Sequence, residues 1–474
     1  MTRPARFLRA GPLSSPPGWL VLASLLVADT VYGFQQTAIT PALPVVQRDF
    51  GASREWTTWV FSGYLITASV MPIFLGKMAD RFGGRRVFVA ALTVFLLGSV
   101  TAAVAPSIGM LVLGRIVQGV GGVVFPLSFS LVREHLPYRQ VRRGIGMLTG
   151  GFGLGGLAGF SLGGVITEFA HWRWVFGVGV IVLVLAIGLV WLVVPADSPR
   201  STASLDIPGA VLLGCTIAAL IVALTEGPQQ GWTAPPVLGM FLLMVLAACG
   251  WVVRERRTSE PLMDLRVATS RTVLLTNIAA LFGGYAVFSV NILLPFLLEE
   301  TAAGPARTGF GLAAGPLLAG IVLLPRALGQ SVGGPMTGPL SRHLGPVAVF
   351  ALGLLAQAVS TLGMALWRGQ TWMLMLELGG LGLGFGISIS AAGSIVALAT
   401  VAQSGIATAL NSVLRRVGGA VGAQIATALL TTITLPGSHV PAPVAFTVAF
   451  LVAAGLSLIG AGCAFLALPL RRGG

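Results

Sequence analysis

About fourteen stretches of roughly 20 apolar residues follow one another along the chain, and no other feature restricts its fold so severely. They lie near 19–41, 56–76, 87–106, 108–132, 145–168, 174–195 and 207–225, then near 235–253, 272–298, 308–330, 346–367, 371–397, 405–434 and 444–470. At a rise of 1.5 Å per residue, about 20 residues cross the roughly 30 Å hydrocarbon core of a bilayer as a helix. Of the 474 residues, 55% are hydrophobic and only 9% charged, which excludes an ordinary solvated surface. The expectation is an all-α membrane protein, because helices satisfy their own backbone hydrogen bonds where no water is present.

The few charges give the chain an orientation. Twenty of the 29 lysines and arginines fall on one side of the predicted spans, among them Arg3, Arg6, Arg9, Lys77, Arg81, Arg85, Arg86, Arg139, Arg142 and Arg143. Five fall on the other side, namely Arg48, Arg54, Arg173, Arg307 and Arg368, and four lie within spans: Arg115, Arg326, Arg415 and Arg416. The excess of positive charge predicts that the first side, with both termini, is cytoplasmic. The net charge of +14 belongs to these short loops, with no basic stripe interleaved with aromatics, so no nucleic-acid partner is expected. Cys215, Cys249 and Cys463 all sit in apolar runs, which offers neither a disulfide framework nor a metal site. The ten tryptophans fall near predicted helix ends, where an aromatic belt belongs. The basic start before the first apolar run is read as the flank of a span rather than a cleaved leader, since the run reaches bilayer length without a small-x-small site.

Between the second and third spans lies Gly76-Lys77-Met78-Ala79-Asp80-Arg81-Phe82-Gly83-Gly84-Arg85-Arg86. A weaker copy, Gly338, Arg342, His343 and Gly345, repeats the spacing of Gly76, Asp80, Arg81 and Gly83 at an offset of 262 residues and without the aspartate. That offset suits two six-helix bundles, 1–200 and 261–474, separated by an inserted two-helix linker at 201–260. The first stretch resembles the cytoplasmic loop signature of the major facilitator superfamily, with Gly84 at one of its basic positions. Trp59 and Tyr64, Arg115-Ile116-Val117-Gln118-Gly119 with Pro126 downstream, and Asn411, Arg415, Gly418, Gly419 and Gly422 resemble further motifs of its fourteen-helix drug:proton antiporter branch. Gly155, Gly159, Gly163 and Gly164 are similar to the branch's helix-5 motif, although Phe160 stands where a proline is usual. Aligning Ala42-Leu43-Pro44 with the branch puts Gln35 where it carries a membrane aspartate, and the nearest acid is Asp29, six residues earlier.

The resemblance implies a secondary transporter of a bacterial inner membrane that exports hydrophobic or amphipathic small molecules in exchange for protons. An ionisable group at mid-bilayer is a functional candidate by default, because it is expensive unless it faces protein or water. Asp29, Arg115 with Gln118, Glu377 and Arg415 are such candidates for substrate or proton coupling, and Gln35 with Gln36 would form a polar patch in a mostly apolar pocket. For Asp29 and Glu377, a place at a hydrated mouth or in the headgroup layer is an equal alternative. Asp80, Arg81 and Arg85, between Gly76 and Gly83, would gate the cytoplasmic side by holding the halves together. The small residues Gly155, Gly159 and Gly163 suit a close-packing face.

The rival expectation is an uncoupled or differently coupled transporter of one metabolite or lipid, with Gln35 and Gln36 reading its polar groups. Enzymatic signatures do not survive their context. Gly159-Phe160-Ser161-Leu162-Gly163 matches a nucleophile elbow and Gly151, Gly153 and Gly156 a dinucleotide fingerprint, yet both lie inside one apolar helix without a preceding strand. No Walker sequence is present, and His135, His171, His343 and His439 fall in predicted loops. The chain is therefore expected to be no enzyme, to need no cofactor or metal, and to have small-molecule substrates, protons and membrane lipids as its partners.

Overall fold

A computed structural model describes residues 17–195, 206–258, 269–299, 315–367, 369–399, 404–436 and 440–467. The described chain is helical, with one isolated bridge between Thr434 and Pro441. In the N-terminal part run α1 (Gly18–Thr37), α2 (Leu43–Phe50), α3 (Arg54–Phe82), α4 (Gly84–Ala103), α5 (Ile108–Gln118), α6 (Val124–His135), α7 (Tyr138–Phe169) and α8 (Trp174–Val193). Next come α9 (Ile207–Gln230) and α10 (Pro235–Arg257), then α11 (Arg271–Glu299), α12 (Pro316–Leu344), α13 (Pro346–Trp367), α14 (Thr371–Ala399), α15 (Ser404–Thr432) and α16 (Pro443–Leu466). Among the described residues thirteen stretches are long and apolar enough to cross a membrane, counting α1–α2 and α5–α6 as one crossing each. Helix α15 adds a fourteenth of similar length.

Two groups of helices pack among themselves, α1 and α3–α8 in one, α11–α16 in the other. They meet along two pairings, α7 with α12 and α3 with α15, and α9 lies against both α3 and α15 while α10 packs on α9. Large apolar side chains such as Leu154, Leu185, Leu192, Leu242 and Leu246 point outward, which water would not tolerate in such number but acyl chains do. Seven tryptophans at helix ends, Trp19, Trp56, Trp174, Trp191, Trp232, Trp367 and Trp372, are exposed in the manner of an aromatic belt. Trp172 is buried instead, donating from Nε1 to Asp49 Oδ2 at 2.9 Å.

The two groups repeat each other. Gly83 ends α3 at φ 95° and Gly345 ends α12 at φ 80°, both 262 residues apart as the sequence copy requires. A side chain is strained in that region, so each glycine permits a reversal too sharp for any other residue. The close packings repeat as well. Gly155 and Gly159 lie on the backbone oxygens of Thr30 and Phe34 in α1, and Gly418 and Gly422 lie on those of Leu281 and Tyr285 in α11.

Several boundaries differ from those expected. The first span runs on through a short 3-10 turn, Thr40–Ala42, into α2, because Pro41 and Pro44 interrupt and restart the helical ladder. The fourth is broken at Gly119–Val123, where three glycines weaken α-helix. The tenth starts at Pro316, a favoured first-turn residue, and continues to Leu344, well beyond the expected 308–330. Gly76–Arg81 is thus no loop but the last turns of α3, with Arg85 and Arg86 opening α4. His135 and His343 are helical rather than in loops, and His439 lies outside the described residues.

Candidate functional site

The interior of the first helix group contains a closed polar network built on α1, α3, α4 and α5. Arg115 is fully buried, donating from Nε to Val60 O at 2.9 Å and from Nη1 to Gln118 Oε1 at 2.8 Å and Gln35 O at 3.2 Å. Its guanidinium carbon stands 4.6 Å from the centre of the Tyr64 ring. Gln118 passes the network on, from Nε2 to Gln35 Oε1 at 2.6 Å and to Ser99 Oγ at 2.7 Å, and Gln35 Nε2 donates to Ser99 Oγ at 3.0 Å. No acid takes part. The charge is compensated by backbone and amide oxygens and a ring face, an arrangement that the planar fork of arginine suits better than a lysine would. Small residues make the room: a Cβ on Gly98 would stand 2.6 Å from Gln118 N, and one on Gly179 of α8 would collide with the Gln35 amide.

Asp29 lies apart from this network on the terminal side of α1. It is fully buried, accepting at Oδ1 from Ser128 Oγ of α6 at 3.0 Å, while Oδ2 has no partner. Gln36 is partly exposed, and Glu377 packs against Gly363 within the second group, neither joining the Arg115 network. In the Gly76–Arg86 segment, Arg81 covers the ring of its neighbour Phe82 at 5.4 Å, and Arg85 donates to Trp191 O of α8 at 2.5 Å. The side chain of Asp80 lies outside the described residues. Gly155, Gly159 and Gly163 seat α7 directly on the α1 backbone, and Gly164 rests on Pro316 at the start of α12.

Between the groups, the described contacts run from mid-depth to the face opposite the termini. Thr58 and Thr427 share a hydrogen bond of 2.5 Å, and Gln424 donates to Ser62 Oγ at 2.8 Å. At that far face Arg54 caps the Phe296 ring at 5.6 Å and Leu317 N reaches Glu168 Oε2 at 3.5 Å. At mid-depth, Arg416 of α15 donates to Ala68 O and, at 3.4 Å each, to Tyr32 Oη and Gly122 O. Its neighbour Arg415 lines a hollow of about 10 Å³ in the second group, no larger than a water molecule needs, with Phe350, Leu354, Phe385 and Ser388. On α12, Arg326 is buried with its Nε unpartnered and lies over the Phe160 ring at 5.3 Å. The residue that departs from the expected proline therefore meets a buried cation. Sequence reasoning singled out Arg115, Gln118 and Gln35 but missed Ser99, Ser128 and Gly179, whose only signal was a small residue in an apolar run. Arg326 and Arg416 did carry a signal, a charge inside a span.

Known proteins similar to this chain place it in a family. The family model described as Major Facilitator Superfamily matches residues 25–326. The multidrug resistance protein B homolog of Mycobacterium tuberculosis is 31% identical over 432 residues, covering 87% of this chain and 75% of that one. The tetracenomycin C resistance and export protein of Streptomyces glaucescens is 30% identical over 440 residues, covering 90% and 78%. The lincomycin resistance protein of Streptomyces lincolnensis is 28% identical over 470 residues, covering 96% and 92%. Among solved structures, the human organic anion transporter MFSD10 superposes with a TM-score of 0.61 at 15% identity over 95% of this chain and 100% of that one, a likeness of fold. With helices, repeat and relatives in agreement, the chain belongs to the major facilitator superfamily and is a multi-pass membrane transporter of small molecules, not an enzyme.

Proposed function

We propose that this transporter exports amphipathic small molecules across a bacterial inner membrane in exchange for protons, with the termini in the cytoplasm. The observation that carries the coupling is Asp29, a fully buried carboxyl group with one donor, Ser128, and one unpartnered oxygen. Such an oxygen has room for a proton, and protonation removes the charge whose burial is costly. The resistance and export named for the Streptomyces relatives support the substrate side of this reading. Residues 1–200 and 261–474 would rock as units about the seam, with 201–260 as an attached pair. Arg115, Gln118 and Gln35 would keep the first unit rigid and polar at its centre, and Glu377 would stay outside the pathway. Because the amide of Gln35 is occupied by Gln118 and Ser99, it is not free to read a metabolite, which disfavours the rival reading.

The test is transport by the purified chain in liposomes carrying an inward-acidic gradient, with export-type substrates added outside. Substrate-dependent release of protons is expected, and Asp29→Asn should abolish that release while leaving the protein folded. Proton release undiminished in Asp29→Asn would remove Asp29 from the coupling, and substrate movement indifferent to an uncoupler would end the proton-driven reading.

A further inference from the structure

An α-helix gives each carbonyl to the N–H four residues on, and a proline at that place leaves the carbonyl without its helical donor. Two such carbonyls meet in the first helix group. Pro72 lies inside α3, four residues after Ala68, and Pro126 lies in the first turn of α6, four residues after Gly122. Glycines bring the two oxygens side by side by seating the broken turn Gly119–Val123 on α3. A Cβ on Gly122 would stand 2.8 Å from Ala68 O, and one on Gly119 2.6 Å from Tyr64 O. The donor for both oxygens comes from the other group. Arg416 of α15 donates from Nη1 to Ala68 O and from Nη2 to Gly122 O at 3.4 Å, with Tyr32 Oη at 3.4 Å beside it. Among the described residues the ion pairs join Asp49 to Arg173 and His171, and Asp206 to Arg254, so no carboxylate accompanies Arg416.

We propose that Arg416 is a positioning residue of the transport cycle, a reversible clasp that joins the two helix groups at mid-depth while the face opposite the termini is shut, with Pro72 and Pro126 freeing the carbonyls it grips. This rests on the rocking of the two groups and is independent of the ion that drives it. A backbone carbonyl with no donor is expensive at this depth, so the two freed oxygens hold whatever donor reaches them. Here that donor belongs to a body that can move away. When the groups part, water entering between them takes the place of the guanidinium on both oxygens, and neither state leaves them unanswered. A carboxylate in the same place would release Arg416 far less readily, because parting a buried ion pair strands a bare charge. Contacts of 3.4 Å are weak ones, which suits a bond made and broken in every cycle. The hydrogen bonds of Thr58 with Thr427 and of Ser62 with Gln424 lie farther toward the closed face, so the clasp and that closure belong to one state.

The test reads the separation of the groups directly. With Cys215, Cys249 and Cys463 replaced, spin labels on Val104→Cys and Gln370→Cys, exposed positions at the far ends of the two groups, report that face as a distance distribution in the purified full chain. Arg416→Gln should raise the ratio of long to short distances by about tenfold, as expected for the loss of one charge-assisted hydrogen bond, and Arg416→Lys by less. Pro72→Ala and Pro126→Ala return an N–H to each carbonyl and should move the ratio in the same direction. Unfolding midpoints identify the folded variants; an arginine that only supports the fold would lower the midpoint and leave the distances alone. Should Arg416→Gln fail to fold, the proline variants carry the test. An unchanged ratio in folded Arg416→Gln, or in both proline variants, would overturn the proposal. Since the distances are read without substrate or gradient, such a failure is distinct from a failure of proton coupling.

Discussion

A guanidinium inside a bilayer is costly unless most of it is answered, and Arg115 has two backbone oxygens, an amide oxygen and a ring face, with Nη2 alone left without a hydrogen-bond partner. Arg115→Ala would take the guanidinium from Val60 O, Gln35 O and Gln118 Oε1 in a site closed to water, leaving the Gln118 amide oxygen unsatisfied at about 1–3 kcal/mol. We expect that variant to lose transport, and Arg115→Lys to recover little of it, since a compact ammonium lacks the planar fork whose Nε and Nη1 reach acceptors on three helices; flux in liposomes at matched protein levels checks both. Arg115 and Gln118 were legible in the sequence because a charge in an apolar run, three residues from an amide, is conspicuous. Gln35 was legible as well, but its meeting with Gln118, 83 residues away, was not, and Ser99 is one hydroxyl among many in the spans, so only the folded chain shows that they meet.

At the scale of elements, glycine spacing carried more than polarity did. The copy of Gly76–Gly83 at Gly338–Gly345 was readable without structure, and it marks the same event in both places, the end of a long helix at a positive φ. The start of the tenth span was placed too early because Phe310, Leu312, Ala313 and Ala314 upstream of Pro316 read as apolar, although the helix begins at the proline. Gly83→Ala should cost about 1–3 kcal/mol through its strained backbone, seen as a lower unfolding midpoint. Gly159→Ala should be comparable, about 1–3 kcal/mol for overpacking, because a Cβ there would stand 2.6 Å from Phe34 O. If Gly159→Ala unfolds like the parent chain, α1 and α7 are not as tightly seated as described.

For the whole molecule, the position of the contacts between helix groups defines a state. They hold the face opposite the termini shut at Thr58–Thr427, Ser62–Gln424 and Arg54–Phe296. With Cys215, Cys249 and Cys463 replaced, the double variant Thr58→Cys and Thr427→Cys should form a disulfide on oxidation and stop transport, and reduction should restore it. Transport that continues with the disulfide in place would mean that this face never opens. The bundled pair α9–α10 meets the same motion from outside. Helix α9 straddles α3 and α15, and its first turn is clamped where Asp206 caps Gly209 and takes Arg254 at 2.5 Å. A strip fastened at one end and laid across this seam would flex like a leaf spring if the two groups rock, and the stiffness of the surrounding lipid would then enter the rate of each cycle.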